Sequence, residues 1–480
     1  MTLPGWAGRL CKLLLLALAL PSFGPGVSSA TIALIDERNA AFVGLAQDGP
    51  FDTPITVYSE LGYEQYFGGS TIGLANPYLY ASVLAYFENG GYSLTIVRVA
   101  DDSDAAIIGV DGGVPGARTG LQALRDVSAS FVAIPGATSQ PVQAALLALC
   151  ESMGDRIAIL DPVTPTSVSA VTAQRAGLST IRGFGALYFP WVESVIPGAP
   201  SPMPPSAFAA GLLANTDPPV TPSGSVLAAS GVSTAVNSTQ SGELTQLGIN
   251  PIREFAGQGV QFFGARTLAG DPEWKYIPVR RRAISLAASL RAGTEWCVAE
   301  PNNATTWAQI DADANDFLHM LWLGGWFAGA SPSQAYFARC DASTMSPEDL
   351  AEGRTVLVVG FAPLVAGEFL ILQIEHTRPP TTGVAPRSPG LSLRAPSPNP
   401  VRGSTTLRFT TSRAGHVRLA LYDAAGRRVQ LVQEGELAAG THEASLTLSD
   451  GSGRALPSGL YLARLEAEGR VLTRRVAAVR

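Results

Sequence analysis

The chain has 480 residues, 46% of them hydrophobic and 15% charged, which is enough for two to four packed domains and excludes a disordered chain. Charge is unevenly placed: residues 31–376 carry 16 Arg and Lys against 32 Asp and Glu, and residues 394–480 carry 13 Arg against 7 Asp and Glu. An acidic body argues against nucleic acid as a partner.

The first 30 residues read as a secretory signal. Arg9 and Lys12 precede the apolar run Leu13–Leu20, Pro21 and Gly24 break it, and Ser28-Ser29-Ala30 offers small residues for cleavage between Ala30 and Thr31. The run is too short to remain in a bilayer as a spanning helix. Its removal leaves Cys150, Cys297 and Cys340, an odd number that describes no disulfide framework.

Residues 31–100 alternate strand and helix patterns. Leu79, Val83, Leu84 and Phe87 recur at helical spacing before Gly90-Gly91, and SLTIVRVA (93–100) is a β-branched strand. Residues 101–250 continue with a strand at 130–136, a helix Gln140–Met153, and strands at 156–162 and 185–192. Strands alternating with helices predict a largely parallel sheet covered on both faces. The Pro-, Ser- and Ala-rich stretch 194–222 reads as a long loop.

Residues 251–376 form a third part. IPVRRRAISLAASLRAG is a helix with Ile284, Leu286, Ala287 and Leu290 as core positions, EWCVAEPNN a strand entering a turn, and Thr306–Trp326 one long helix. AYFARC is a strand, Ser346 caps a short helix that starts at Pro347, and TVLVVGFAPL and EFLILQIEH are two more strands. Trp322, Trp326 and Phe327 are expected to pack the long helix onto the sheet. Residues 377–393 are a Pro-rich linker, and the rest alternates as short strands of a small sandwich, with turns at Asp423–Gly426 and Asp450–Gly453.

Motifs for chemistry are sparse. His319, His376, His416 and His442 have no metal-ligand spacing, and there is no GxSxG. Cys297 or Cys340 with His319 and Asp341 is the one nucleophilic set to imagine, and no spacing requires it. Gly112–Gly120 looks like a phosphate loop but lacks its Lys-Ser/Thr ending. Asn237 and Asn303 stand in glycosylation sequons. This reading expects no catalytic, cofactor-binding or metal residues; a secreted hydrolase and a surface binding protein are the competing classes.

Taken together, AFVGLAQDGPFDTPITVYSELGYEQYFGG, YLYASVLAYFENGGYSLTIVRV, TGLQALRDVSASFVAIPG and the block from YIPVRRRAISLAASLRAG to GRTVLVVGFAPLVAGEFLILQI resemble the contractile phage tail sheath proteins over residues 41–376. The C-terminal region, from Ser397-Pro398-Asn399-Pro400 through Tyr422-Asp423 and Gly426-Arg427 to Ser458-Gly459-Leu460-Tyr461, is similar to type IX secretion sorting domains and to the immunoglobulin-like domain of flagellar hook-capping proteins. The resemblance implies an α/β and α+β multidomain, sheath-like body followed by an all-β immunoglobulin-like sandwich. Its parts would be a signal peptide (1–30), an N-terminal part (31–100), a central α/β domain (101–250), an assembly domain (251–376), the linker (377–393) and a sorting-like domain (394–480).

It also implies a structural, self-associating protein that forms rings, a helical tube or a surface layer, with an inner tube protein and the outer-membrane secretion machinery as further partners. Neighbours would join by adding strands to an exposed edge. The expected joining strand is Glu368, Phe369, Leu370, Ile371, Leu372, Gln373, Ile374 and Glu375. Two features depart from the family. Cleavage after Ala30 leaves only residues 31–40 before the AFVG strand, and an export signal is foreign to a sheath assembled in the cytoplasm. The expected location is extracellular or the cell surface, with a cytoplasmic or phage-tail particle as the alternative.

Overall fold

The computed structural model describes residues 32–378, apart from 72, 165, 166 and 366, and residues 391–478, apart from 395, 397, 398, 400, 402, 424–426 and 450–453. The expected signal with its Ala30–Thr31 junction, most of the linker, and the turns at Ala424–Gly426 and Asp450–Gly453 lie outside the described residues. The chain divides into two compact units between Pro379 and Pro380.

The strands of the first unit are β1 (Ala40–Gly44), β2 (Ile55–Val57), β3 (Leu94–Arg98), β4 (Phe131–Ala133), β5 (Ile157–Leu160), β6 (Gly185–Phe189), β7 (Val192–Ser194), β8 (Ala229–Val232), β9 (Ile249–Phe255), β10 (Gly259–Phe262), β11 (Tyr336–Arg339), β12 (Arg354–Phe361) and β13 (Leu370–Thr377). Its helices are α1 (Glu60–Phe67), α2 (Tyr78–Glu88), α3 (Asp104–Ile108), α4 (Gln140–Met153), α5 (Val168–Ala176), α6 (Ser206–Ala214), α7 (Ser238–Gln246), α8 (Ile277–Thr294), α9 (Ala304–Leu323), α10 (Pro332–Ala335) and α11 (Pro347–Ala351).

Eight strands form one sheet in the order β10-β9-β6-β5-β4-β1-β3-β2. Its six inner strands are parallel, and β2 and β10 run antiparallel at the edges. Successive residues point to opposite faces, so each strand feeds two cores. Phe42, Ile96, Phe131 and Ile157 pack beneath α2 and α6, and Val43, Val97, Val132 and Leu160 pack against α4 and α5. Because β1 lies between β3 and β4, the sheet crosses residue 100, where the sequence pattern places a boundary.

Four local expectations are corrected. The stretch 194–222 begins on Ser194, the last residue of β7, and contains α6, buried almost all round. A helix of SAFAAGLLA is apolar on every side and shows no 3.6-residue alternation, so it hides in a loop-like composition. The run 185–192 divides into β6 and β7 at Pro190, which has no N–H to continue a ladder. EWCVAE is a 3-10 turn, Glu295–Ala299, that continues from α8 and pairs with no strand among the described residues. The long helix stops at Leu323 rather than Trp326; Gly325 follows at φ +79°, a conformation open to glycine, and turns the chain back.

The third core joins α8 and α9 to a three-stranded antiparallel sheet, β11-β12-β13. The second unit contains β14 (Ser392–Leu393), β15 (Ser404–Thr411), β16 (Gly415–Tyr422), β17 (Arg428–Leu437), β18 (Gly440–Thr447), β19 (Gly459–Ala467) and β20 (Arg470–Ala478). They form two antiparallel sheets, β14-β15-β18 and β17-β16-β19-β20, around one core of Leu407, Phe409, Leu419, Leu465 and their neighbours. This is the expected all-β sandwich. The sequence reading did not include β20, because Arg470, Thr473, Arg474 and Arg475 interrupt its apolar alternation.

Candidate assembly edge

β13 sits at one side of the small sheet. Leu370, Ile374 and His376 turn inward, and Ile371, Gln373, Glu375 and Thr377 face solvent. Inward, Leu370 and Ile374 join the core of α8 and α9, and His376 Nε2 lies 2.8 Å from Thr294 Oγ1 on α8. The antiparallel register runs from Arg354 opposite Thr377 to Phe361 opposite Leu370. Arg378 N–H donates to Gly353 C=O at 3.0 Å, which fixes the parity of the ladder. Leu370, Leu372, Ile374 and His376 therefore spend their backbone groups on β12. The backbone groups of Ile371, Gln373, Glu375 and Thr377 point away from it and take no partner among the described residues.

The expected joining strand, Glu368–Glu375, is displaced by two residues. Ala362 turns its N–H to Ala335 C=O at 2.8 Å, so β12 offers β13 nothing before Leu370. Glu368 N–H instead closes a turn on Val365 C=O at 3.2 Å, and the Phe369 ring meets Phe337 edge-on at 5.4 Å.

The aromatic cluster lies behind this sheet. Trp326 and Phe327 are buried in the third core, Phe327 with its ring centroid 5.9 Å from Phe361 and 6.1 Å from Tyr336. Trp322 is half-buried and donates Nε1–H to Gly329 C=O at 3.0 Å, closing the loop that follows α9.

The imagined nucleophilic set is not assembled. Cys297 and Cys340 are buried in the same core, and burial pushes their thiols up to about 11 and about 12. His319 Nδ1 lies 2.9 Å from the Tyr336 hydroxyl, and the Asp341 carboxylate accepts the Ser343 N–H at 2.7 Å in its own turn. The Gly112–Gly120 loop carries its own anion: Asp111 accepts Gly113 N–H at 3.0 Å and Arg118 Nε–H at 2.8 Å. Asn237 and Asn303 are helix N-caps whose side chains accept backbone N–H groups of α7 and α9. Among the described residues no cluster of His, Cys, Asp or Glu has the makings of a metal site, and no helix is long and apolar enough to cross a membrane.

Sequence reasoning missed a different feature, the buried Arg280-Arg281-Arg282 of α8. Each guanidinium is held by backbone carbonyls. Arg280 donates to Arg182 C=O beneath the Trp274 ring, Arg281 to Thr216 C=O at 2.5 Å, and Arg282 to Pro219 C=O at 3.0 Å and Pro363 C=O at 2.5 Å. Arg282 thus ties α8 to the loop after α6 and to the end of β12. In the sequence, three arginines in a row look like a solvated helix face.

The comparisons agree with this architecture. Residues 112–268 match the family model of the phage tail sheath protein central domain. A protein of Pseudomonas aeruginosa (strain UCBPP-PA14), named as a prophage major tail sheath protein, is 29% identical over 345 residues, covering 68% of this chain and 86% of that protein. The helical sheath of the anti-feeding prophage in its contracted state matches with TM-score 0.58 and 26% identity, over 73% of this chain and 97% of that one. In sequence and in fold the body resembles tail sheath proteins. It also shares its fold with the sheath of PVC, an extracellular contractile injection system, with TM-score 0.56 and 24% identity over 75% of this chain and 98% of that one. Residues 397–478 match the family model of the secretion system C-terminal sorting domain.

Proposed function

We propose that this chain is an exported structural subunit that joins copies of itself into rings, a helical tube or a surface layer by strand addition at β13. The observation that carries this is the open β13 edge, four residues whose backbone has no partner among the described residues, on a body similar to sheath proteins. Such an edge is a template for a strand from a second copy. The sequence places cleavage between Ala30 and Thr31, and the sorting domain at 397–478 hands the chain to the outer-membrane secretion machinery. An inner tube protein is a further partner of the assembled form. The role is architectural rather than catalytic: the thiols are buried with raised pKa values, and His319 is engaged by Tyr336.

Negative-stain microscopy of the purified chain tests the assembly. Rings, tubes or sheets are expected, and strictly monomeric particles at high concentration would sink the reading. The relative named for a prophage tail favours a second reading, a sheath subunit of a phage tail or contractile injection system that stays in the cytoplasm. N-terminal sequencing of the native protein separates the two: a start at Thr31 is expected for the exported form and Met1 for the other.

A further inference from the structure

A three-stranded sheet has two edges, and here they are treated differently. The second edge is β11. Ala362 N–H donates to Ala335 C=O at 2.8 Å, so Ala335 and Ala362 are a bonded pair. Counting by two along the register, Phe337 and Arg339 exchange bonds with Gly360 and Val358. Ala338 must then turn both its N–H and its C=O outward, as the residues of β13 do.

On β11, however, these groups are occupied. Ala338 N–H donates to Asn315 Oδ1 at 3.2 Å, and Asn315 Nδ2 donates back to Ala338 C=O at 3.3 Å. On either side, Cys340 N–H donates to Asp311 Oδ1 at 3.2 Å and Tyr336 N–H to Pro332 C=O. Asn315 Nδ2 also donates to Asp311 C=O at 2.9 Å and Oδ2 at 3.2 Å, which fixes the plane of the amide. Asp311, Asn315, His319 and Trp322 follow one stripe of α9, and each bonds β11 or the chain that leads into or out of it.

We propose that Asn315, positioned by Asp311, guards the β11 edge: its carboxamide pairs with Ala338 as a single-residue strand and confines strand addition to β13. The inference rests on the reading that β13 receives a neighbour's strand. The chemistry selects this side chain. A carboxamide offers one acceptor and one donor in a plane, as a peptide group does, whereas a carboxylate would set oxygen against the Ala338 carbonyl. A sheet open on both sides would accept two neighbours and branch; one with a closed edge accepts a single neighbour.

The test uses the full chain and four variants, with circular dichroism confirming the fold and sedimentation velocity reading association. Gln373→Pro removes a β13 N–H that points outward, without touching the ladder to β12, and is expected to leave monomers. Asn315→Ala is expected to make the Ala338 amide exchange about tenfold faster and to give branched or laterally aggregated particles. The decisive protein is the double variant N315A/Q373P, expected to associate again through β11. Folded monomers in the double variant beside monomers in Q373P would overturn the guard and leave the β13 reading standing. Continued assembly of folded Q373P would overturn the β13 reading and the guard with it. Ala338→Pro alone covers the case in which N315A does not fold. It deletes the guarded N–H and is expected to assemble normally, and loss of assembly with the fold retained would show that β11 is itself a joining edge and defeat the proposal.

Discussion

Asp161 stands just past the end of β5, sealed from water, and takes hydrogen bonds from Gly136 N–H at 3.0 Å, Ser206 N–H at 2.8 Å and Ser206 Oγ–H at 2.9 Å. One carboxylate thereby pins the loop after β4 and the start of α6. Burial pushes its pKa up to about 7 against the pull of those three donors. A carboxyl that holds its proton more tightly folded than unfolded contributes stability that is full below the unfolded value and is lost as pH rises through the folded one. The native chain is therefore expected to lose stability relative to Asp161→Asn as pH climbs from about 4 to about 7, and paired thermal melts across that window check it. Parallel melting curves would show that the carboxyl does not titrate in that range. The cysteines make a second residue-scale prediction. Cys150, Cys297 and Cys340 are buried with raised thiol pKa values, so in folded residues 31–480 none of the three should react quickly with a thiol reagent, and all three should react after denaturation. The role of Asp161 was not legible in the sequence. Asp161 in AILDP has the look of an ordinary turn residue, and its burial depends on α6, which that reading did not contain.

Helices were more legible where one face of them is wet. The reading of α4 as Gln140–Met153 coincides with the structure, because Ser139 caps it, Gly154 at φ +71° ends it, and its apolar face recurs at helical spacing. The strands β3, β5, β12 and β16 were visible on other grounds, as short β-branched, apolar or alternating runs bounded by turns. What escaped was set by partners distant in the chain. α6 is apolar on all sides, and the start of β13 depends on where β12 stops offering bonds. The candidate edge followed this division: the pattern picks out a strand there but sets it at 368–375, two residues before β13. Proline placed by ladder parity tests the corrected register. Leu372→Pro, whose N–H faces β12, is expected to destabilise the small sheet by about 3 kcal/mol, while Gln373→Pro is expected to be nearly neutral in chemical denaturation. Equal losses would mean that the parity is wrong.

At the scale of the whole molecule, the two units have opposite charge balances, and the function proposed above gives them separable tasks. Removing residues 394–480 is expected to alter where the protein accumulates and to spare its self-association, as fractionation of cells and medium with microscopy of both forms would show. Loss of assembly on that deletion would place the joining surface in the sandwich instead. Within the first unit, Arg282→Ala is expected to cost about 2–4 kcal/mol by chemical denaturation, since it strips charged donors from the Pro219 and Pro363 carbonyls. The same contacts bear on how this protein tolerates sequence drift. Arg280, Arg281 and Arg282 hold the main chain at Arg182, Thr216, Asp217, Pro219 and Pro363, not the side chains there. Every amino acid presents the same carbonyl, so those five positions are free to change their chemical character while the grip persists. The seam behaves as a clasp closed on a ribbon, indifferent to the pattern printed on it, and substitutions are expected to accumulate on the gripped loops long before they are tolerated at the three arginines.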